Sequence, residues 1–299
     1  MLYFTGDIHA DCISRFSFKT HPELRELTSD DFIIVLGDCG IPWYNPQLHF
    51  YDYWTKPGAE KAEHYQLTWL NNRPWKTIFL RGNHDNIDLI QEMPFTKLGH
   101  ANVRQMCYED ILYENIFYID TPQFMYLQGQ KLLFIPGAES HDIDYIFEYD
   151  DPLTKDYIRQ INKKYKRTGV ETLYRVNHFS YWKNEGVNEN LALKTVMHCP
   201  KEVDYVLTHA PRAAVHNQWK MPGAPARNNP SKSEIILENI SKLITYKMWL
   251  HGHLHNYIEL TNLYSIGLYY DILSLEDIEK KKKFFDLENK YYQEIMANK

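Results

Sequence analysis

The feature that most constrains this chain is a repeated pattern: an apolar run that stops at a small polar cluster, five times over. Leu2–Thr5 leads into Asp7-Ile8-His9, Phe32–Leu36 into Gly37-Asp38, and Thr77–Leu80 into Gly82-Asn83-His84-Asp85. Val203–Thr208 leads into His209, and Tyr246–Leu250 into His251-Gly252-His253-Leu254-His255. Short continuous apolar runs read as strands buried on both faces. In α/β sheets, ligands bind in the crevice beyond the carboxyl ends of the strands. The five clusters are therefore expected to converge, although they come from opposite ends of the chain.

The segments between these runs set the fold class. Ala59–Leu70 carries helix formers with a stripe at Ala62, Tyr65 and Trp69. Strands alternating with helices point to an α/β layered domain. Ile116–Ile119, Phe124–Leu127 and Lys131–Ile135 follow one another closely, with a turn at Gln128-Gly129-Gln130, so the sheet is mixed or there are two sheets. Asp150–Arg167 and Asn188–His198 read as helices within a polar stretch of about 142–202, taken as a helical insertion. Ser231-x-x-Glu234 is a capping box opening a helix to about Ile244. Tyr257–Leu260 and Leu263–Ile266 read as a hairpin, and about 275–299, with Lys280–Lys283, as a charged surface tail. With no repeat and no splitting linker, residues 1–299 are expected to form one domain.

Composition excludes several classes. Hydrophobic residues make up 44% and charged residues 24%, which fits an ordinary soluble globular chain and argues against disorder. No apolar run approaches the roughly 18 residues of a membrane span. The net charge of −6 argues against a broad nucleic-acid surface, though not against a local basic groove. Met1–Thr5 runs into Gly6-Asp7 without the basic and apolar regions of a signal peptide. Cys12, Cys39, Cys107 and Cys199 lie far apart with no Cys-x-x-Cys pair, so a cytoplasmic location is expected.

The cluster residues suit a pair of metal ions. Asp and His supply oxygen and imidazole ligands for Mn, Fe or Zn, Asn adds a neutral oxygen, and a carboxylate can bridge. The clusters contain no cysteine, which argues against a structural zinc site. Two ions about 3.5–4 Å apart can clamp a phosphoryl group and supply a hydroxide nucleophile at neutral pH. Taken singly the clusters are weak signals: Asp-x-His begins many loops and helices, and Gly-Asn-His-Asp suits a turn. Their joint order carries the reading.

In that order the clusters resemble the signature of the calcineurin-like metallophosphoesterase superfamily: Asp-x-His, Gly-Asp, Gly-Asn-His-Asp/Glu, His, then Gly-His-x-His. Tyr3–His9 and Gly137–Asp142 are also similar to a bacterial and phage group of metallophosphatases. The resemblance implies a four-layer αββα sandwich with two mixed sheets, the inserted segment capping one end. It implies two divalent ions, Mn first, with Fe or Zn also compatible. Asp7, His9 and His255 would hold one ion, Asn83, His209 and His253 the other, and Asp38 would bridge. His84 would face the phosphate and protonate the leaving oxygen, typically worth ~10²–10⁴-fold.

The second cluster departs from the protein Ser/Thr phosphatases of this superfamily, which carry Gly-Asp-x-x-Asp-Arg-Gly. Here it reads Gly37-Asp38-Cys39-Gly40-Ile41-Pro42-Trp43, without the Asp partner of the catalytic His or the phosphate-binding Arg. Asp85 is the candidate replacement for the Asp, although neighbouring side chains usually point differently. Arg81, Arg212 and Arg227 are candidate phosphate grips, each weighed against a solvated arginine. His141 is placed at the edge of the crevice. His49, His64, His100, His178, His198 and His216 read as surface or hydrogen-bonded residues, and Cys39 as a small buried one. The expected activity is a phosphomonoesterase on a phosphorylated substrate. The alternative is a phosphodiesterase or nuclease on nucleotides or nucleic acid, with Trp43, Tyr44 and Trp219 for stacking. An inactive scaffold should have lost a ligand, and none is lost.

Overall fold

The computed structural model describes residues 1–45, 59–141, 143–219 and 229–297. Alternation along the first two strands decides the layering. In β1 (Leu2–Thr5) and β2 (Phe32–Val35), Leu2, Phe4, Phe32 and Ile34 face one core, while Tyr3, Ile33 and Val35 face another. A sheet apolar on both faces must be covered on both.

Strands β3 (Lys76–Leu80), β4 (Phe95–Leu98), β5 (Ala101–Tyr108), β6 (Ile111–Ile119), β7 (Gln123–Leu127) and β8 (Gln130–Ile135) follow. Further along come β9 (Tyr145–Glu148), β10 (Tyr174–Asn177), β11 (Glu202–Thr208), β12 (Thr245–His251), β13 (Ile258–Leu260), β14 (Ser265–Gly267) and β15 (Leu273–Ser274). The first sheet has seven strands in the order β15-β1-β2-β3-β6-β5-β4, and the second has six, β13-β14-β12-β11-β8-β7. Both are mixed. Their centres are parallel, with Ile34 opposite Phe4 and Ile78 in one, and Leu207 opposite Phe134 and Leu250 in the other. Antiparallel strands close the edges.

The helices are α1 (Cys12–Arg15), α2 (Ala59–Asn71), α3 (Ile87–Glu92), α4 (Thr154–Thr168), α5 (Glu189–His198), α6 (Ala213–Gln218), α7 (Lys232–Ser241) and α8 (Leu275–Ala297). Between the sheets, Phe4, Ile34, Ile78 and Ile119 meet Phe134, Leu207 and Leu250. Leu67 and Leu70 of α2 and Ile90 of α3 cover the outer face at Ile33, Val35 and Phe79. Ala192 and Val196 of α5 and Ile236, Leu237 and Ile240 of α7 cover Leu133, Val206 and Trp249. The result is the expected four-layer αββα sandwich. Burying each large apolar side chain in it contributes about 1.5–3 kcal/mol.

Several details differ from the sequence reading. The stretch 142–202 holds helices α4 and α5, but also β9 and β10, which pair in parallel above a small core of Ile158, Val176 and Phe179. Three of the four β9 residues are exposed, so no apolar alternation marks the strand. Strands β4 and β5 were not anticipated either, although Ala101, Val103 and Gln105 alternate inward along β5. The C-terminal segment is not only a surface tail. Ile278 and Phe285 of α8 are fully buried in the core between the sheets, while Lys280 and Lys282 pair along the outside with Glu276 and Asp286. The capping box at Ser231 and Glu234 is formed in both directions.

Candidate metal centre

Strand register delivers the clusters to one edge. Thr5 lies opposite Val35, and Val35 opposite Phe79, so the loops after β1, β2 and β3 leave side by side. In the second sheet Thr208 lies opposite His251. Ligand atoms of Asp7, His9, Asp38 and His255 lie within 4.8 Å of one another, as do those of Asp38, His209 and His253. Asp38 belongs to both groups. Asn83 Oδ1 stands 3.1 Å from His209 Nε2 and so joins the second.

Within the first group His255 Nε2 is 3.0 Å from Asp7 Oδ2 and 3.0 Å from His9 Nε2. Within the second, His209 Nε2 is 3.1 Å from Asp38 Oδ1 and 3.3 Å from His253 Nδ1. His209 Nδ1 lies 2.7 Å from the Leu36 carbonyl oxygen. A carbonyl only accepts, so Nδ1 donates to it, and Nε2 is the nitrogen that would face a cation.

The local sequence follows from the crowding. A Cβ on Gly82 would lie 2.2 Å from Asp38 Oδ1, and one on Gly252 would lie 2.3 Å from Asp7 Oδ1. Gly82 and Gly252 are thus each required by a carboxylate approaching the backbone, as Gly37 is by the His209 ring. The chain also turns sharply at the ligands themselves. His9 (φ 45°), Asp38 (48°), His253 (69°) and His255 (49°) all sit in left-handed backbone, which costs non-glycine residues on the order of 1 kcal/mol or more each. Local bonds hold the turns. The Ile8 and His9 N–H groups donate to the Asp38 carbonyl, and the His253 N–H donates to Asp7 Oδ1 at 3.0 Å.

The electrostatics call for positive charge. Asp7 is 0% and Asp38 1% exposed. Among the described residues no Lys or Arg side chain is bonded to either carboxylate. Burial works against charge on Asp38, yet His209, His84 and His9 hold its carboxyl well below the usual range. Burial also opposes charge on His209, but Asp38 and Asp7 push it up to about 9. A hydrogen bond to Asp7 raises His255, whereas burial lowers His9. Buried carboxylates need a paired charge or a metal, and this oxygen-and-imidazole set fits divalent cations.

The sequence pattern of calcineurin-like phosphoesterases matches residues 2–257. The chain belongs to that family. Among solved structures it is similar to phosphopantetheinyl hydrolase from Mycobacterium tuberculosis, at 14% identity over 90% of this chain and 89% of that one, with a TM-score of 0.39. It is also similar to a protein of unknown function from Aquifex aeolicus, at 19% identity over 62% of this chain and 82% of that one, with a TM-score of 0.22. Neither likeness is near enough to add to the argument. Compared by sequence with curated proteins, the chain has no match.

Other residues of this family member fall into place around the centre. His84 is half-buried, its N–H donating to Asp38 Oδ1 at 2.7 Å and its ring 5.7 Å from that of His9. Asp85 does not serve it as a partner. The Asp85 carboxylate accepts from Gly82 N–H (2.7 Å), Gly40 N–H (2.8 Å) and Tyr118 Oη–H (2.9 Å), tying two site loops to β6. His141 reaches the edge of the crevice, its ring 5.1 Å from that of His253.

Two expected phosphate grips turn inward instead. Arg81 is buried and donates to the Glu185 carbonyl at 2.7 Å. Arg212 is buried over the Trp249 ring and donates to the Leu263 carbonyl at 2.8 Å. Arg227 and His49 lie outside the described residues. Tyr44 is buried, and Trp43 packs edge-on against Trp182 at 5.8 Å, so neither offers a free stacking face; Trp219 is half-buried.

Cys39 is buried. His64 bonds Tyr113 and Glu109, His178 bonds Asp88, His198 the Lys194 carbonyl, and His216 Glu234, while the His100 ring lies by Tyr126. Arg15 was missed by sequence reasoning. It donates to the Asp7 carbonyl at 2.8 Å and to Thr5 Oγ1 at 3.0 Å, bracing the first loop. Nothing around Arg15 in the sequence marks it. Among the described residues no helix is long and apolar enough to cross a membrane.

Proposed function

We propose that this chain is a phosphomonoesterase working at a centre of two divalent cations. One observation carries the reading: two buried carboxylates ringed by histidines and bonded by no Lys or Arg side chain among the described residues, with Asp38 common to two ligand groups. Asp7, His9 and His255 would hold one ion, Asn83, His209 and His253 the other, with Asp38 available to both. Two such ions, when bound, polarise phosphoryl oxygens and make water nucleophilic near neutral pH. Mn²⁺ is the first choice, and Fe or Zn also suits the donors.

The chain's own groups supply orientation and a proton. His209, fixed through the Leu36 carbonyl, and His253, fixed through Asp7, present ring nitrogens inward. His84 stands on the open side, its backbone anchored on Asp38, and gives a proton to the leaving oxygen. Asp85 locks the loops that carry Asp38 and His84. Residues 1–299 act as one domain, with 142–202 at the rim. The free cysteines fit a reducing compartment, the cytoplasm.

An aromatic ledge favours a second reading, a phosphodiesterase or nuclease on nucleotides or nucleic acid. Tyr269 stacks on His255 at 4.8 Å and meets the largely exposed Tyr270. Hydrolysis of p-nitrophenyl phosphate and of its bis-ester, with Mn²⁺, decides between the two. Preference for the monoester supports the proposal, and preference for the diester transfers it to the second reading. Turnover of neither with Mn²⁺, Fe²⁺ or Zn²⁺ overturns both.

A further inference from the structure

Asn83 poses a problem that a carboxylate ligand does not. Its amide has an oxygen end and a nitrogen end of nearly equal size, and only the oxygen can face a cation. Something must choose the end. Asn83 Nδ2 donates to Ser140 Oγ at 3.0 Å. Ser140 is in turn held by Glu185, whose Oε1 accepts the Ser140 N–H.

The Ser140 hydroxyl oxygen presents its lone pairs to Asn83, and these call for the amide NH₂. Asn83 Oδ1 is thereby turned toward His209 and the centre.

Glu185 is an unusual choice for a merely structural role. It is 3% exposed, and its Oε2 has no hydrogen-bond partner among the described residues. Arg81, the nearby guanidinium, donates to the Glu185 main-chain oxygen rather than to its carboxylate. Burying a carboxylate with no cationic partner and one oxygen unbonded is costly.

We infer that Glu185, from the inserted segment, is a positioning residue for the Asn83 ligand, acting through Ser140. The inference rests on the reading of Asn83 as a metal ligand. Titration calorimetry of the metal-free full chain with Mn²⁺, alongside circular-dichroism melts, tests it. The wild type takes up two ions. Ser140→Ala and Glu185→Ala each lose about 10–100-fold in affinity for one ion and keep the other. Glu185→Gln stays near the wild type, because its amide oxygen still accepts from Ser140.

Wild-type affinity for both ions in Ser140→Ala and Glu185→Ala overturns the inference, and so does Glu185→Gln falling as far as Glu185→Ala. Should Glu185→Ala not fold, Ser140→Ala, which removes a single oxygen, decides alone. A wild type that binds no metal overturns the reading of the centre itself.

Discussion

The two corners of the centre share Asp38 but are built differently. The Asn83, His209 and His253 corner is enclosed, at 2%, 0% and 9% exposure. Its groups are tied to protein: His209 to the Leu36 carbonyl, Asn83 to Ser140, and His253 to Asp7. At the other corner Asp7 is buried, but His9 and His255 are exposed and lean on each other and on Asp7. The enclosed corner is held by bonds to the surrounding protein, while the open one is exposed at both of its histidines. The first ion is therefore expected at the enclosed corner and the second, weaker one beside His9 and His255.

Removing the shared group should break both corners together. Asp38→Asn is expected to abolish uptake of both ions and to cost several kcal/mol of transition-state stabilisation, about 10³-fold or more in kcat. Metal analysis and turnover check it; retention of both ions would mean that the corners do not share this carboxylate. His84→Ala separates chemistry from binding. It should lower kcat by ~10²–10⁴-fold with metal uptake unchanged, and unchanged turnover would remove His84 from the proton-donor role.

Stability of the metal-free protein sharpens the contrast. His209→Ala leaves the buried Asp38 carboxylate without its close partner and should cost about 3–5 kcal/mol in denaturant melts. His255→Ala, at an exposed ring, should cost under about 1 kcal/mol. Equal losses would contradict the difference in enclosure.

A site away from both corners gives the smallest effect. Glu63 is buried beneath the Trp43 and Tyr44 N–H groups, at 3.0 Å from each. Burial pushes its carboxyl from 4.5 up to about 7, outweighing those bonds. Between these values the folded state binds more protons than the unfolded state, so stability falls as pH rises from 4.5 to about 7 and stays lower above it. Glu63→Gln should remove that slope and raise stability at pH 8 by at most about 3 kcal/mol. Melts at two pH values check it, and a slope unchanged in the variant would discount Glu63.

Sequence reasoning located the strands that end at the clusters because each is a mostly apolar run, interrupted only by Asp204 and Lys247, that stops near a glycine or a ligand. Gly82 and Gly252 are legible for a physical reason, since their loops pass within contact of Asp38 and Asp7. What failed was direction. Arg81 and Arg212 sit beside the clusters in sequence, yet their guanidinium groups turn inward to main-chain oxygens, which composition cannot reveal. Strands β9 and β10 escaped because they are short and half-exposed. Glu185 escaped because its partner Ser140 is 45 residues away, in a stretch with no local marker of function.

The central claim is a pair of divalent cations held by two ligand groups that meet at Asp38. Anomalous diffraction from a crystal grown with Mn²⁺ tests it most directly. The account predicts two peaks flanking Asp38, the stronger beside His209 and the weaker beside His255. No peak, or a peak away from Asp38, would contradict it.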